Sequence, residues 1–284
     1  VLKPAEFTGN DYLVLAAGGG WGAFQGWLIG RAALFDGEQA AGAIVLGMGL
    51  GLIGGELVAR ASDLETTHVM LTELSSYAGS GLGAGVMLVA GSDNTTANAI
   101  TTAAAGWGAK ALAGWVAPRL EFRGDDIAEY LTLQGWGLWH GAAIAMALDA
   151  DESTFQGAML LGTSLGFLLP LLTNQLVDYS LKDDLLIAGC GVWGAWIGAW
   201  TPYALGGTSN QTLLWSTVLT DAGLILGGLF LSPAVDMSRR RMGWIHLGGL
   251  AGMGLGSSMT AIFSSQGEDV VLGSLIGTGA GLLA

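Results

Sequence analysis

Apolar stretches of about 20 residues alternate with short polar connectors from one end of this chain to the other. Ten such stretches fit, near 12–33, 39–60, 67–90, 96–117, 127–148, 155–177, 184–204, 212–232, 242–263 and 268–284. An α-helix rising 1.5 Å per residue needs about that length to cross about 30 Å of hydrocarbon. The connectors are FDGEQ, ASDLETT, GSDNTT, EFRGDD, DADEST, DYSLKDD, GGTSNQ, DMSRRR and SSQGED. Each is short enough to make neighbouring helices antiparallel.

A glycine sits at the centre of every stretch. Gly22, Gly51, Gly79, Gly108, Gly137, Gly166, Gly194, Gly223, Gly252 and Gly281 follow one another at intervals of 28 or 29 residues. In the odd-numbered stretches a second glycine follows one helical turn later, as Gly26, Gly83, Gly141, Gly198 and Gly256. Residues four apart share a helix face, so these glycines predict grooves in which another helix backbone can lie closely. Trp21-Gly22, Trp136-Gly137 and Trp193-Gly194 each open a W-G-x-(F/W)-x-G motif, which makes a helical hairpin of 57 or 58 residues the repeat unit. The expected fold is therefore all-α, a bundle or solenoid of ten antiparallel helices built from five glycine-zipper hairpins. Its expected limits are a lead-in over 1–10, then one repeat domain with units 11–63, 64–124, 125–180, 181–238 and 239–284, the last helix cut short. A β-barrel would need turn signals about every 10–14 residues and a polar lumen face, and GAIVLGMGLGLIGGELVA offers neither.

Composition turns these helices into a membrane expectation. Hydrophobic residues make up 51% of the 284, charged residues only 12%, about half the share usual in a soluble domain. A net charge of -13 with ten Lys and Arg argues against nucleic acid as a partner. The expected partners are the lipid bilayer and proteins reached through sequence beyond residue 284. The single Cys190 cannot form an internal disulfide. Basic residues gather in the connectors on the N-terminal side, as Lys3, Arg60, Arg119, Arg123, Lys182, Arg239, Arg240 and Arg241, against Arg31 opposite. That asymmetry predicts a multi-pass protein with a cytoplasmic N-terminus, an outer-membrane or cell-surface location being the alternative. The sequons at Asn94 and Asn210 fall on the outer side of this arrangement.

No motif points to catalysis. Gly162-Thr163-Ser164-Leu165-Gly166 fits the nucleophile-elbow pattern but lacks a preceding strand, and Gly49, Gly51 and Gly54 fit a dinucleotide pattern inside a glycine-rich helix. No cofactor, metal ligand set or catalytic residue is expected. Ionisable groups within spans are costly and therefore informative. Lys110 and Asp221 fall near mid-depth, with His140 close to the depth of Asp221, so those two could meet. Lys110 has the reach to approach Glu73 or Glu56. Gln25 holds the repeat position of His140, and a polar track through Gln25, Glu73, Lys110, His140 and Asp221 is the feature to look for. His68 and His246 are expected at the interface, and Trp21, Trp107, Trp136 and Trp193 packed between helices. Trp27, Trp115, Trp200, Trp215 and Trp244 fall nearer the span ends and suit interface anchoring. The fourth stretch, rich in Ala and Thr, should be enclosed or line a cavity.

The expected function is that of a non-enzymatic structural module in a membrane. The alternatives are a channel or transporter for an ion or small solute along the polar track, and a soluble or surface-associated glycine-zipper solenoid.

Overall fold

The structure is a computed structural model that describes residues 9–61, 65–120, 126–173 and 179–284. Lys3 and Arg123 of the orientation argument, and most of the lead-in, lie outside the described residues. Ten long helices form, with no strand among the described residues: α1 Gly9–Ala32, α2 Gly37–Ala61, α3 Thr66–Val89, α4 Thr95–Val116, α5 Asp126–Ala147, α6 Glu152–Thr173, α7 Leu181–Ala204, α8 Ser209–Ile225, α9 Arg239–Phe263 and α10 Gly267–Leu283. α4 tightens into a 3-10 turn at Ala117–Arg119. The eighth helix is not the unbroken span its hydropathy suggests. It widens into a π-helix at Leu226–Leu231, where Gly227 and Gly228 weaken the α-helical preference, before a last turn Ser232–Ala234. The Tyr179 hydroxyl donates to the Gly228 carbonyl at 3.3 Å.

The hairpins pair through their glycines. A Cβ added at Gly22 or Gly26 of α1 would run into the α2 backbone at Gly47 or Ala43, and one added at Gly51 into the α1 backbone at Gly18. Gly137, Gly141 and Gly166 relate α5 and α6 in the same way, Gly194, Gly198 and Gly223 join α7 and α8, and Gly252, Gly256 and Gly281 join α9 and α10. Gly79 and Gly83 of α3 meet a looser seam that includes the Ala105 and Ala109 side chains. Gly108 departs from the expected packing role, because open space surrounds its Cβ position; Gly106, on the other side of Trp107, faces α3 at Ser76 and Ser80.

The connectors carry a second repeat. Asp36, Asn94, Asp151 and Thr208 each accept a hydrogen bond from the backbone N–H three residues on, capping α2, α4, α6 and α8. At the other end of each connector the backbone turns left-handed, at Leu34, Gly91, Asp149 and Gly206. The following N–H reaches back to Gly30, Met87, Ala145 or Pro202. This is the Schellman closure of a helix C-terminus, repeated in four hairpins.

Contacts divide the chain into two compact units, 1–177 and 178–284, where the repeat alone suggests one uninterrupted domain. In the first unit α1 packs on α4 and α3 on α6, and α2 touches α1 alone among the described residues. In the second, α7 packs on α10. The first helix of a hairpin thus docks on the second helix of the next, three times over. A small apolar core of Leu71, Ala78, Ala117, Tyr130 and Phe167 ties α3, α5 and α6 together in the first unit.

The polarity of the helices is inverted relative to a water-soluble bundle. Ser75, Ser76, Ser80, Thr102, Ser164, Ser216, Thr220, Ser274 and Thr278 are buried, whereas Val45, Leu46, Ile53, Leu57, Leu214, Leu229 and Phe230 are exposed. Several of these hydroxyls spend their donors on their own helix, as in Thr102 to Asn98, Thr220 to Ser216 and Thr278 to Ser274, whereas Ser216 donates across to Ala195 of α7. Among the described residues four helices are long and apolar enough to cross a membrane: Gly37–Ala61, Glu152–Leu171, Leu181–Ala204 and Ser209–Ala234. The sequence pattern suggests ten. The buried hydroxyls and Glu73 lower the apolarity of α3, as the threonines and Lys110 do for α4, and α10 has only 17 residues.

Candidate functional site

Three of the five polar-track residues converge in the first unit. Gln25 on α1, Glu73 on α3 and Lys110 on α4 all line one cavity of about 610 Å³. Helical spacing explains the convergence. Trp107 and Lys110 lie three residues apart and so share a face of α4. From that face Trp107 reaches α1, where its Nε1 donates to Gln25 Oε1 at 3.1 Å. Lys110 reaches α3, where its Nζ donates to Glu73 Oε1 in an ion pair whose side chains are both less than one-fifth exposed. The ammonium also lies 5.0 Å from the centre of the Trp21 ring, within range of a cation–π attraction.

Aromatic rings stiffen this node. Trp21 is 2% exposed and meets Trp107 and Tyr77 edge-on, at ring-centre distances of 5.6 and 5.4 Å. Trp107, expected between helices, is instead 52% exposed, and only its N–H edge turns inward to Gln25. The cavity floor includes the seam of α1 and α2, where Gly18, Gly22, Gly47 and Gly51 contribute backbone rather than side chains, and Gly54 lines the cavity outside that seam.

Several polar atoms here have no partner. Gln25 is 8% exposed, and its Nε2 has no hydrogen-bond partner; neither does Trp21 Nε1, nor Glu73 Oε2. Because an indole N–H can only donate, the Trp107 bond fixes the orientation of the Gln25 amide and leaves the NH2 as its open end. His68 and Thr72, four residues apart on α3, also line the cavity, as does Val69, four residues before Glu73. The four-residue spacing of His68 and Thr72 is the sequence signal that could have grouped those two with each other.

The other two residues of the track stand apart. His140 on α5 is outside the cavity lining; its Nδ1 donates to the Trp136 carbonyl at 2.9 Å and its ring lies 4.3 Å from that indole. Asp221 belongs to α8 in the second unit, and His140 to α5 in the first. Glu56 pairs along its own helix with Arg60 at 2.6 Å rather than with Lys110. His246, expected at the interface, instead joins two helices of the second unit. Its Nδ1 accepts from Trp193 Nε1 at 2.9 Å, with Gly189 leaving room for the imidazole. Trp193 Nε1 being the donor, His246 carries its proton on Nε2 in this arrangement.

Ser164 lies mid-helix in α6, buried against Gly81 of α3, and Gly49 and Gly54 lie mid-helix in α2, so neither sits in the turn its motif would require. Among the described residues no three His, Cys, Asp or Glu side chains gather where a metal ion could be held. No known family, no curated protein and no solved structure matches the chain.

Proposed function

We propose that the chain is a non-enzymatic, multi-pass membrane protein whose glycine-zipper hairpins form a structural module in the bilayer. The inverted polarity of the helices is the observation that carries this reading. In lipid an outward Leu or Phe costs nothing, and helices associate through close backbone approach between small residues and through interhelical hydrogen bonds. The same surface in water would be an apolar patch far larger than soluble monomers expose. All ten helices take part as spans, α4 lining the cavity with Trp107, Lys110 and Gly114 while its Ile100, Leu112 and Trp115 stay exposed. The basic residues Arg60, Arg119, Lys182 and Arg239–Arg241 against Arg31 support a cytoplasmic N-terminus.

The pairing of charges favours a closed module over a channel. Lys110 neutralises Glu73, and His140 is engaged on its own helix. Membranes carrying the protein, washed in alkaline carbonate, should retain it in the pellet, and proteoliposomes should show no ion or small-solute flux above empty vesicles. Release into the supernatant would identify a soluble or peripheral solenoid. Flux abolished by Lys110→Met would identify a channel.

A further inference from the structure

We propose that the cavity between the first two hairpins binds a lipid-soluble quinone, an uncharged planar ring bearing carbonyl oxygens on an apolar tail. The inference goes beyond the structural role and rests on the membrane reading only in drawing its ligand from the bilayer.

Shape argues first. About 610 Å³ falls in the range of small-molecule sites. Its floor is glycine backbone, without side chains, and the largely exposed Trp107 stands at its wall. A flat ring fits between a flat floor and an indole better than a flexible saturated chain does. Hydrogen bonding argues second, and independently. Gln25 Nε2 and Trp21 Nε1 are donors on side chains more than nine-tenths buried, both residues line the cavity, and neither atom has a partner. Unsatisfied buried donors are costly; both atoms are closed to water in this structure, and a carbonyl oxygen admitted by a small shift of either side chain would relieve them. Glu73 Oε2, also unpartnered, can accept from a ring hydroxyl, so the reduced quinol fits the same cavity. Charge argues third. Lys110 and Glu73 cancel, which suits a neutral ligand rather than a phospholipid headgroup or a fatty acid.

The test uses the full chain in detergent micelles and a decyl-tailed benzoquinone as probe, with bound probe measured by equilibrium dialysis against protein-free micelles. The expected result is saturable binding of about one probe per chain, weakened about tenfold by Gln25→Leu, which removes one donor. Gly54 lines the cavity and has nothing within 4 Å of its Cβ position, so Gly54→Leu fills the space without disturbing the α1–α2 seam. That variant should keep its thermal stability and lose the saturable component. Decanol, which has the tail but no ring, should not compete. Uptake that only follows micelle partition, binding unchanged in a stable Gly54→Leu protein, or equal competition by decanol would each overturn the proposal. Carbonate extraction tests the membrane reading in separate samples, so the two can fail independently.

Discussion

The two units solve one docking problem with different chemistry. In each, the first helix of a hairpin lies on the second helix of the next, α1 on α4 and α7 on α10. In the first unit an indole–amide bond, Trp107 to Gln25, crosses this junction beside a cavity and unpartnered polar atoms, while the adjacent Lys110–Glu73 ion pair joins α4 to α3 within the second hairpin. In the second the neighbouring hairpins are joined by a neutral indole–imidazole bond, Trp193 to His246, with the indole lying over Gly249. Backbone-to-backbone glycine seams recur in both units; the α3–α4 hairpin departs from them, with a looser seam that carries the ion pair, and the contacts between hairpins differ from one unit to the other.

The largest expected effect tests the common part. Gly22→Leu in the first unit and Gly252→Leu in the second each force a side chain into the facing backbone. Both should lower stability in detergent by about 3 kcal/mol, read from thermal or denaturant unfolding. An unchanged midpoint in either would show that the seam does not hold that hairpin together.

The next effect separates the charged contact inside the second hairpin from the neutral contact between the last two hairpins. Lys110→Met strands Glu73 as an unpaired, mostly buried carboxylate, with a cost of about 2–3 kcal/mol, and adding Glu73→Gln should restore most of it. His246→Leu removes only a neutral acceptor from Trp193 and should cost about 1 kcal/mol. Equal losses in the two single variants would erase the distinction between a charged contact within a hairpin and a neutral one between hairpins.

How much of this was legible follows from what hydropathy can and cannot encode. Helix ends were readable because polar, turn-rich connectors interrupt the apolar stretches, and the Lys110–Glu73 pair was within reach because a long lysine stem extends from mid-depth toward the N-terminal side. Which side of a helix faces inward was harder to read, since apolar residues suit both lipid and protein. That ambiguity misassigned Gly108, whose neighbour Gly106 makes the contact, and buried Trp107 when only its N–H is inside. Asn94 opens a sequon and also caps α4, two roles that its polar connector does not tell apart. The division at 177/178 has no counterpart in the glycine spacing, which continues unchanged across it.

Smaller effects compare the connectors. Leu34 holds the left-handed position that Gly91 and Gly206 occupy in other hairpins. Leu34→Gly should raise stability by up to about 1 kcal/mol, whereas Gly91→Leu should lower it. Smallest is the cap of α6. The Thr154 backbone N–H bond to Asp151, supported by the Thr154 and Ser153 hydroxyls, holds that carboxyl below its ordinary range. A carboxyl with a depressed native pKa stabilises the fold above its unfolded value and loses that contribution as pH falls. Wild type should therefore weaken slightly below about pH 4, and Asp151→Asn should flatten that part of a pH–stability profile.

The central claim, a closed bundle of lipid-facing hairpins, is tested most directly by water access at mid-depth. In a Cys190→Ala background, single cysteines at Gln25, His140 and Asp221, with others in the connectors, would be exposed to a membrane-impermeant thiol reagent in intact vesicles. The account predicts labelling in outward connectors and protection at all three interior positions. Labelling at the interior positions would contradict it, because water would then reach the middle of the bundle.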